Sequence, residues 1–342
     1  MYYDGARLLS QKDINGNTPE LFLCTTNRTG GKTTYFGRWC VNKFNEGKGK
    51  FITEYRFEHE LRDCAEKFYK DIGSLFFPDT VMHSKAKCDG AYCELYINDT
   101  HVGYAVALNT ADKLKRVSHV FSDVERIWLD EFQSETNHYC PNEVAKFRSI
   151  HTSVARGQGK QVRYVPVVLT GNPVSILNPY YVALGISPRL TKETKFLRGN
   201  GFVLEQGYND TAAQAQMESG FNKAFGEDKY GLYSAQGVYL NDNLSFIGKP
   251  NGKGRYLATM RYNGREYAVR EYLDEGIIYC DDRPDKTYPL KLSVTTEDHN
   301  INYVMLNRYR LFIENMRYYF DKGAFRFKDL QCKEALMSAL SY

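Results

Sequence analysis

The chain has 342 residues, a formal net charge of +4 and 42% hydrophobic residues, which suits about two domains of ordinary size with a large buried core. Near-balanced charge permits contact with nucleic acid without arguing for it, and no run approaches the roughly 20 apolar residues that span a bilayer, so no membrane association is expected. The eight cysteines are scattered, and the one close pair, Cys88 and Cys93, lacks the second pair or the His of a zinc set, so free thiols in a reducing compartment are expected.

Residues 1–20 are polar and turn-rich, and the segment Met1-Tyr2-Tyr3-Asp4-Gly5 lacks the basic start and apolar core of a signal peptide. A soluble, intracellular protein is therefore expected. The apolar run Leu21-Phe22-Leu23 leads into a polar loop ending Gly30-Gly31-Lys32-Thr33, followed by a helix-like segment over 35–44. Strand, tight turn and helix N-terminus are the context of a phosphate-binding loop, in which backbone N–H groups and the helix dipole face an anion. The loop residues Thr26, Asn27, Arg28, Thr29, Gly30, Gly31, Lys32, Thr33 and Thr34 are the expected nucleotide-binding set. Lys32 would reach the β- and γ-phosphates of ATP, and Thr33 would offer its hydroxyl to Mg²⁺. Thr26 stands where such loops usually carry glycine, so the loop entrance is expected to differ.

A strand over 51–55 and an amphipathic helix over 58–72 continue a β-α-β-α series, the pattern of a parallel sheet with covering helices. Two strands, 91–97 and 103–108, flank a hairpin signal at Asn98-Asp99. The run Val124 through Leu129 then delivers two adjacent carboxylates, Asp130 and Glu131, at a strand's C-terminal end, where ligands bind in open α/β sheets. Asp130 would hold Mg²⁺ through water, and Glu131 would orient and polarise the attacking water. Pro141 and Glu143 open a helix running to about 155, and Arg156 follows in a glycine-flanked loop from which it could reach a nucleotide in a neighbouring subunit. A solvated basic turn is the plainer reading of that loop, and Arg148 competes for the same role. A strand over 162–169 ends in Thr170-Gly171-Asn172-Pro173, where Thr170 and Asn172 could sense the γ-phosphate, or simply form a turn.

Further along, residues 202–204 read as a last strand and 210–225 as an Ala- and Gln-rich linker helix. Strand-like runs at 256–262, 266–271, 276–280 and 289–294, the first two joined by the hairpin signal Asn263-Gly264, precede helices at 303–320 and 329–340. Strands followed by helices suit an α+β domain. The first of these strands carries no carboxylate, and Asp281, Asp282 and Asp285 fall in a turn, so a two-metal nuclease is not expected. Arg261, Arg265, Arg270, Arg308, Arg310 and Arg317 are candidates to grip phosphates or RNA, with solvated faces as the alternative.

The segments Asn27 to Thr33, Trp128 to Phe132, Pro141 to Val144 and Leu169 to Tyr180 together resemble the genome-packaging ATPases of small short-tailed phages with protein-primed linear DNA, and the likeness continues through Tyr262-Asn263-Gly264 and Tyr318 to Gly323. The resemblance implies an α/β P-loop ATPase of the additional-strand, catalytic-glutamate type over residues 1–204. A linker over 205–231 and a C-terminal domain of ribonuclease H-like shape over 232–342 would follow. It further implies a homo-oligomeric ring, commonly a pentamer, in the host cytoplasm, docked transiently on the portal of a procapsid and hauling double-stranded DNA inward with ATP and Mg²⁺. In some members a packaging RNA tethers the ring. Carried onto this chain, Lys32 and Thr33 bind phosphate and metal, Asp130 holds the metal, Glu131 is catalytic, Arg156 acts in trans, and Asn172 lies in the coupling motif. Arg28 matches a basic position inside the loop. The competing readings are a large terminase with a working nuclease and a non-enzymatic nucleic-acid-binding capsid adaptor.

Overall fold

The computed structural model describes residues 3–340 apart from 137, 157, 158, 160, 191–193 and 226–245. The chain divides into two compact units, 1–241 and 242–342. In the first, nine strands form one sheet: β1 (Leu21–Thr25), β2 (Lys50–Tyr55), β3 (Met82–Lys87), β4 (Tyr92–Ile97), β5 (Thr100–Ala107), β6 (Val124–Leu129), β7 (Val167–Gly171), β8 (Phe196–Gly199) and β9 (Phe202–Gln206). Their order is β3-β4-β5-β2-β6-β7-β1-β9-β8. The strands from β5 across to β9 are parallel, while β3, β4 and β8 add antiparallel edges.

The apolar runs read from the sequence are two-faced. Leu23, Ile127, Leu129 and Leu169 pack into the core on one face, and Phe22, Cys24, Trp128 and Val168 into the core on the other. Burial on both faces is what near-continuous apolar strands imply. The helix Lys32–Asn45 follows β1 and covers the second face through Phe36, Cys40 and Val41. The helix Glu143–Val154 covers the first through Phe147, Ile150 and Val154.

Several expected elements are corrected. The helix over 58–72 is two helices, Glu58–Cys64 and Lys67–Phe76, because the Tyr55 hydroxyl donates to the carbonyls of Cys64 (2.8 Å) and Ala65 (3.3 Å), which a continuous helix would use itself. The strand over 162–169 begins only at Val167: Val162 and Tyr164 face solvent, and Pro166 has no N–H for a ladder. The segment 210–225 is two helices, Asp210–Glu218 and Gly220–Phe225, separated by the extended backbone of Ser219. Strands β3 and β8 had no reading in the sequence.

The second unit carries a six-stranded sheet of β10 (Arg255–Tyr262), β11 (Arg265–Tyr272), β12 (Ile277–Asp281), β13 (Lys291–Ser293), β14 (Val304–Met305) and β15 (Phe325–Phe327), ordered β14-β13-β10-β11-β12-β15. The Asn263-Gly264 turn joins β10 to β11 as read, with both residues at positive φ. The helix expected over 303–320 starts at Arg310, since Val304–Met305 pairs with β13 instead. The helices Arg310–Asp321 and Leu330–Leu340 pack on the core of Met260, Val269, Ile278, Leu292, Phe325 and Phe327. The expected boundary at 231/232 lies outside the described residues.

Candidate active site

The strand order places the chemistry. Because β7 lies between β6 and β1, the residues leaving β7 stand between those leaving the other two. From β1 comes the phosphate loop, from β6 Asp130-Glu131, and from β7 Thr170, Gly171 and Asn172. All emerge at the carboxyl ends of parallel strands, where such sheets bind ligands.

In the loop, Thr29 and Gly31 adopt positive φ (58° and 93°), and Gly31 caps the helix Lys32–Asn45. At 93° a side chain would be strained, which is the reason for glycine there. Thr26 keeps ordinary angles and sits buried, its hydroxyl donating to the Asn27 carbonyl at 2.9 Å. A Cβ on Gly30 would stand only 2.9 Å from that hydroxyl oxygen, so Gly30 makes the room that Thr26 takes.

Lys32 is 7% exposed, and its Nζ donates to Asn172 Oδ1 at 2.6 Å. Burial lowers its pKa, and a bound anion would offset that desolvation. Thr33 donates through Oγ1 to Asp130 Oδ2 at 2.9 Å. Hydroxyl and carboxylate oxygens are the donors a hard cation takes, so the pair fits Mg²⁺, with Thr33 as the residue that would bind it directly and Asp130 the one that would hold it through water. Asp130 is fixed from behind. Thr170 Oγ1 donates to Asp130 Oδ1 at 2.5 Å and itself accepts from the Trp128 indole N–H at 2.9 Å. Glu131 follows at positive φ (55°) and lines a cleft of about 340 Å³ with Thr33, Glu54, Arg56, Lys67 and Asp130. Desolvation in the cleft, and next the charge of Asp130, raise the Glu131 pKa, which suits a proton acceptor.

Arg28 is ion-paired with Glu135 and lines a second depression with Thr29, Lys32, Asn172, Gln216 and Phe221. Thr34 lies in the first turn of the loop's helix. Arg156 is exposed and is not brought to this site. It follows a 12-residue helix, Glu143–Val154, about 18 Å long, whose start meets the cleft through Glu143 and Arg56. That helix ends beside the first residues of the strands, where Arg163 bonds the Val154 carbonyl and Glu125. Arg148 is exposed on the same helix.

Five residues around the site, Arg56, Glu143, Glu54, Asn209 and Gln216, were not read from the sequence as contributors. Arg56 and Glu143 form a buried ion pair at 2.9 Å. Glu54, buried and without a hydrogen-bond partner for either carboxyl oxygen among the described residues, has its pKa pushed up to about 8 by burial and the charge of Glu143. Asn209 exchanges hydrogen bonds with Asn27 (3.0 and 3.1 Å), and Gln216 donates to Thr29 at 3.2 Å, so the helix after β9 is tied to the phosphate loop. Lone polar residues at strand and helix ends carry no spacing that would single them out; the one usable signal was an acidic residue, Glu54, inside an apolar strand.

In the second unit the acids are spent locally. Asp281 pairs with Arg270 at 2.9 Å and accepts from the Arg283 N–H, Asp282 pairs with Lys328 at 2.5 Å, and Asp285 accepts from Thr287. No group of three metal-ligating side chains is found among the described residues. Arg261 pairs with Asp298, Arg265 bonds Gln331, and Arg317 bonds the Leu340 carbonyl; Arg308 and Arg310 are exposed beside an open depression. All eight cysteines are free thiols, and no helix among the described residues is long and apolar enough to cross a membrane.

A family model described as podovirus DNA encapsidation protein (Gp16) matches residues 1–340. The DNA packaging protein of Bacillus phage phi29 is 23% identical over 282 residues, covering 82% of this chain and 80% of that protein. The DNA packaging protein of Bacillus phage B103 is 23% identical over 284 residues, covering 82% and 83%. Among solved structures, a chain of the bacteriophage Phi-29 viral genome packaging motor assembly aligns with a TM-score of 0.71 at 20% identity, over 99% of both chains. A chain of the Phi-28 gp11 DNA packaging motor aligns at 0.61 and 14% identity, over 100% of this chain and 98% of that one. Those two likenesses establish the fold along the whole length. With the family model spanning nearly every residue, the chain belongs to the podovirus DNA encapsidation protein (Gp16) family, and packaging viral DNA is its function.

Proposed function

We propose that this chain packages DNA as an ATP hydrolase, the repeating subunit of a ring that drives double-stranded DNA into a procapsid through its portal. The observation that carries this reading is the convergence of Lys32, Thr33, Asp130 and Glu131 at one sheet edge, with Thr170 and Asn172 between them. The loop's N–H groups, the helix dipole and Lys32 bind the phosphates of ATP. Thr33 and Asp130 are the residues that would hold Mg²⁺, which when bound neutralises phosphate charge. Glu131 accepts the proton of the attacking water, a role worth on the order of 10²–10⁴ in rate. Asn172 Oδ1 accepts from Lys32, so a Lys32 that turns to phosphate gives up this bond, and Asn172 reports the site's occupancy to the segment after β7.

Arg156 is displaced from its own subunit's Lys32 and serves a neighbour's nucleotide across a ring interface. This reading also places an additional-strand, catalytic-glutamate P-loop domain before a linker at 205–231. A ribonuclease H-like C-terminal domain follows, its antiparallel β10-β11-β12 meander extended by two strands parallel to β10. A pentameric ring in the host cytoplasm, with packaging RNA as a tether, follows from the family likeness. Arg308 and Arg310 are its candidates for phosphate contact in that domain. DNA is held through its phosphates without base readout, so affinity falls as salt rises.

The adaptor reading needs an inactive nucleotide site, and the fit of Thr26 against Gly30 counts against it by seating the loop without the usual glycine. The active-nuclease reading needs acids that converge, whereas Asp281, Asp282 and Asp285 each answer a local partner. The test is ATP-dependent protection of DNA inside purified procapsids. The wild-type chain is expected to fill them, and Lys32→Ala is expected to leave the DNA fully open to nuclease. Filling by Lys32→Ala at the wild-type rate would refute the proposal.

A further inference from the structure

The carboxylate of Glu131 works only where its backbone holds it, and that backbone is held from another strand. Glu131 is a non-glycine residue at φ 55°, a conformation that costs on the order of 1 kcal/mol and persists when its surroundings over-determine it. On one side, the Phe132 N–H donates to the Thr170 carbonyl at 3.0 Å. On the other, Arg56, one residue past the end of β2, sends Nη2 to the carbonyl oxygens of both Glu131 (3.2 Å) and Phe132 (3.0 Å).

The guanidinium is itself held by further contacts. Its Nε–H donates to Glu143 Oε2 at 2.9 Å, and its Cζ lies 5.0 Å from the centroid of the Tyr139 ring. Glu143 is anchored in turn, accepting from the Cys140 N–H at 3.0 Å and from the Tyr180 hydroxyl at 3.0 Å. An ion pair with Glu143 alone would need only a positive charge. Reaching a carboxylate with one edge and two successive carbonyls with the other needs the planar, five-donor fork that arginine has and lysine lacks.

We propose that Arg56 is a positioning residue for ATP hydrolysis: its guanidinium locks the Glu131–Phe132 backbone and thereby aims the Glu131 carboxylate at the attacking water. This rests on the reading of Glu131 as the water-activating group. Misplacing a reacting group by ~1 Å costs on the order of 10²-fold in rate. Arg56→Lys keeps a cation for Glu143 and gives up the paired carbonyl bonds.

The experiment measures DNA-stimulated ATP turnover by the full chain, with binding of a non-hydrolysable ATP analogue and thermal unfolding alongside. Arg56→Lys is expected to lower kcat about 10- to 100-fold while analogue affinity and KM stay within about threefold and the unfolding midpoint is nearly unchanged. Arg56→Ala follows the same split with lower stability. Under single-turnover conditions, Arg56→Lys in a Glu131→Gln background is expected to add less than about threefold to the loss from Glu131→Gln alone, because no carboxylate remains to be aimed. Wild-type kcat in Arg56→Lys beside an inactive Glu131→Gln would overturn the inference and leave the reading of Glu131 standing. Fully multiplicative losses in the double variant would overturn it as well. Full turnover by Glu131→Gln itself would remove the reading on which it rests.

Discussion

The two units of this chain treat their acidic residues in opposite ways. In the first, Asp130 is oriented by uncharged donors, the hydroxyls of Thr170 and Thr33 and the Glu131 N–H, the Glu131 backbone is held by Arg56, and both acids line one cleft. In the second, Asp281, Asp282 and Asp285 are each consumed by an arginine, a lysine or a turn hydroxyl. A carboxylate can bind a metal or take a proton only if its neighbours position it without saturating it. In the second unit cations neutralise Asp281 and Asp282, and this difference supports the proposal that the chemistry lies in the first unit.

The largest effect is expected at Arg156, which the proposed function assigns to a neighbouring subunit's site. Arg156→Ala is expected to reduce DNA-stimulated ATP turnover by on the order of 10³–10⁵. Mixing Arg156→Ala with Lys32→Ala subunits should recover part of the activity, because some interfaces then pair an intact phosphate loop with an intact arginine. No recovery at any mixing ratio, read as phosphate release, would place Arg156 outside a shared site.

A second prediction concerns Glu54. Its pKa is raised from the ordinary 4.5 to about 8, so the folded chain keeps a proton that the unfolded chain releases across that window. Stability from this group therefore declines as pH rises from about 4.5 to about 8 and is lost above it. Glu54→Gln should raise the unfolding midpoint at pH 9 and shift it far less at pH 6. An equal shift at both pH values, measured by thermal denaturation, would contradict the assigned burial.

The smallest effect is expected in the second unit. Replacing Asp281, Asp282 and Asp285 together by asparagine should leave ATP turnover within about twofold; the stability cost is expected to be roughly 1 kcal/mol or less for the exposed Asp282–Lys328 pair and larger for Asp281, which is buried against Arg270. A collapse of turnover would show that these acids serve more than their turns.

The sequence disclosed the parts of the site that depend on local context. Strand, loop and helix around Gly31-Lys32-Thr33 are contiguous, and Asp130-Glu131 follows directly on an apolar strand, so both could be read by periodicity and turn chemistry. What it concealed are contacts that bring distant residues together through single polar atoms: Arg56 with Glu143 and the Glu131 carbonyl, Asn209 with Asn27, Thr170 with Trp128. Such contacts leave no period. The same cause lies behind the misread helices. The break after Cys64 is made by the Tyr55 hydroxyl, and the late start at Arg310 by pairing of Val304–Met305 with β13; neither is a propensity of the segment itself. Strands β3, β8 and β15 are edge elements of 6, 4 and 3 residues whose partners supply most of their definition.

The central claim, that hydrolysis at the carboxyl edge of the first sheet powers packaging, is tested most directly by Glu131→Gln. DNA-stimulated ATP turnover should fall by about 10²–10⁴ while ATP-analogue binding stays near wild type. Turnover at the wild-type rate in that variant, with nucleotide bound normally, would contradict the account.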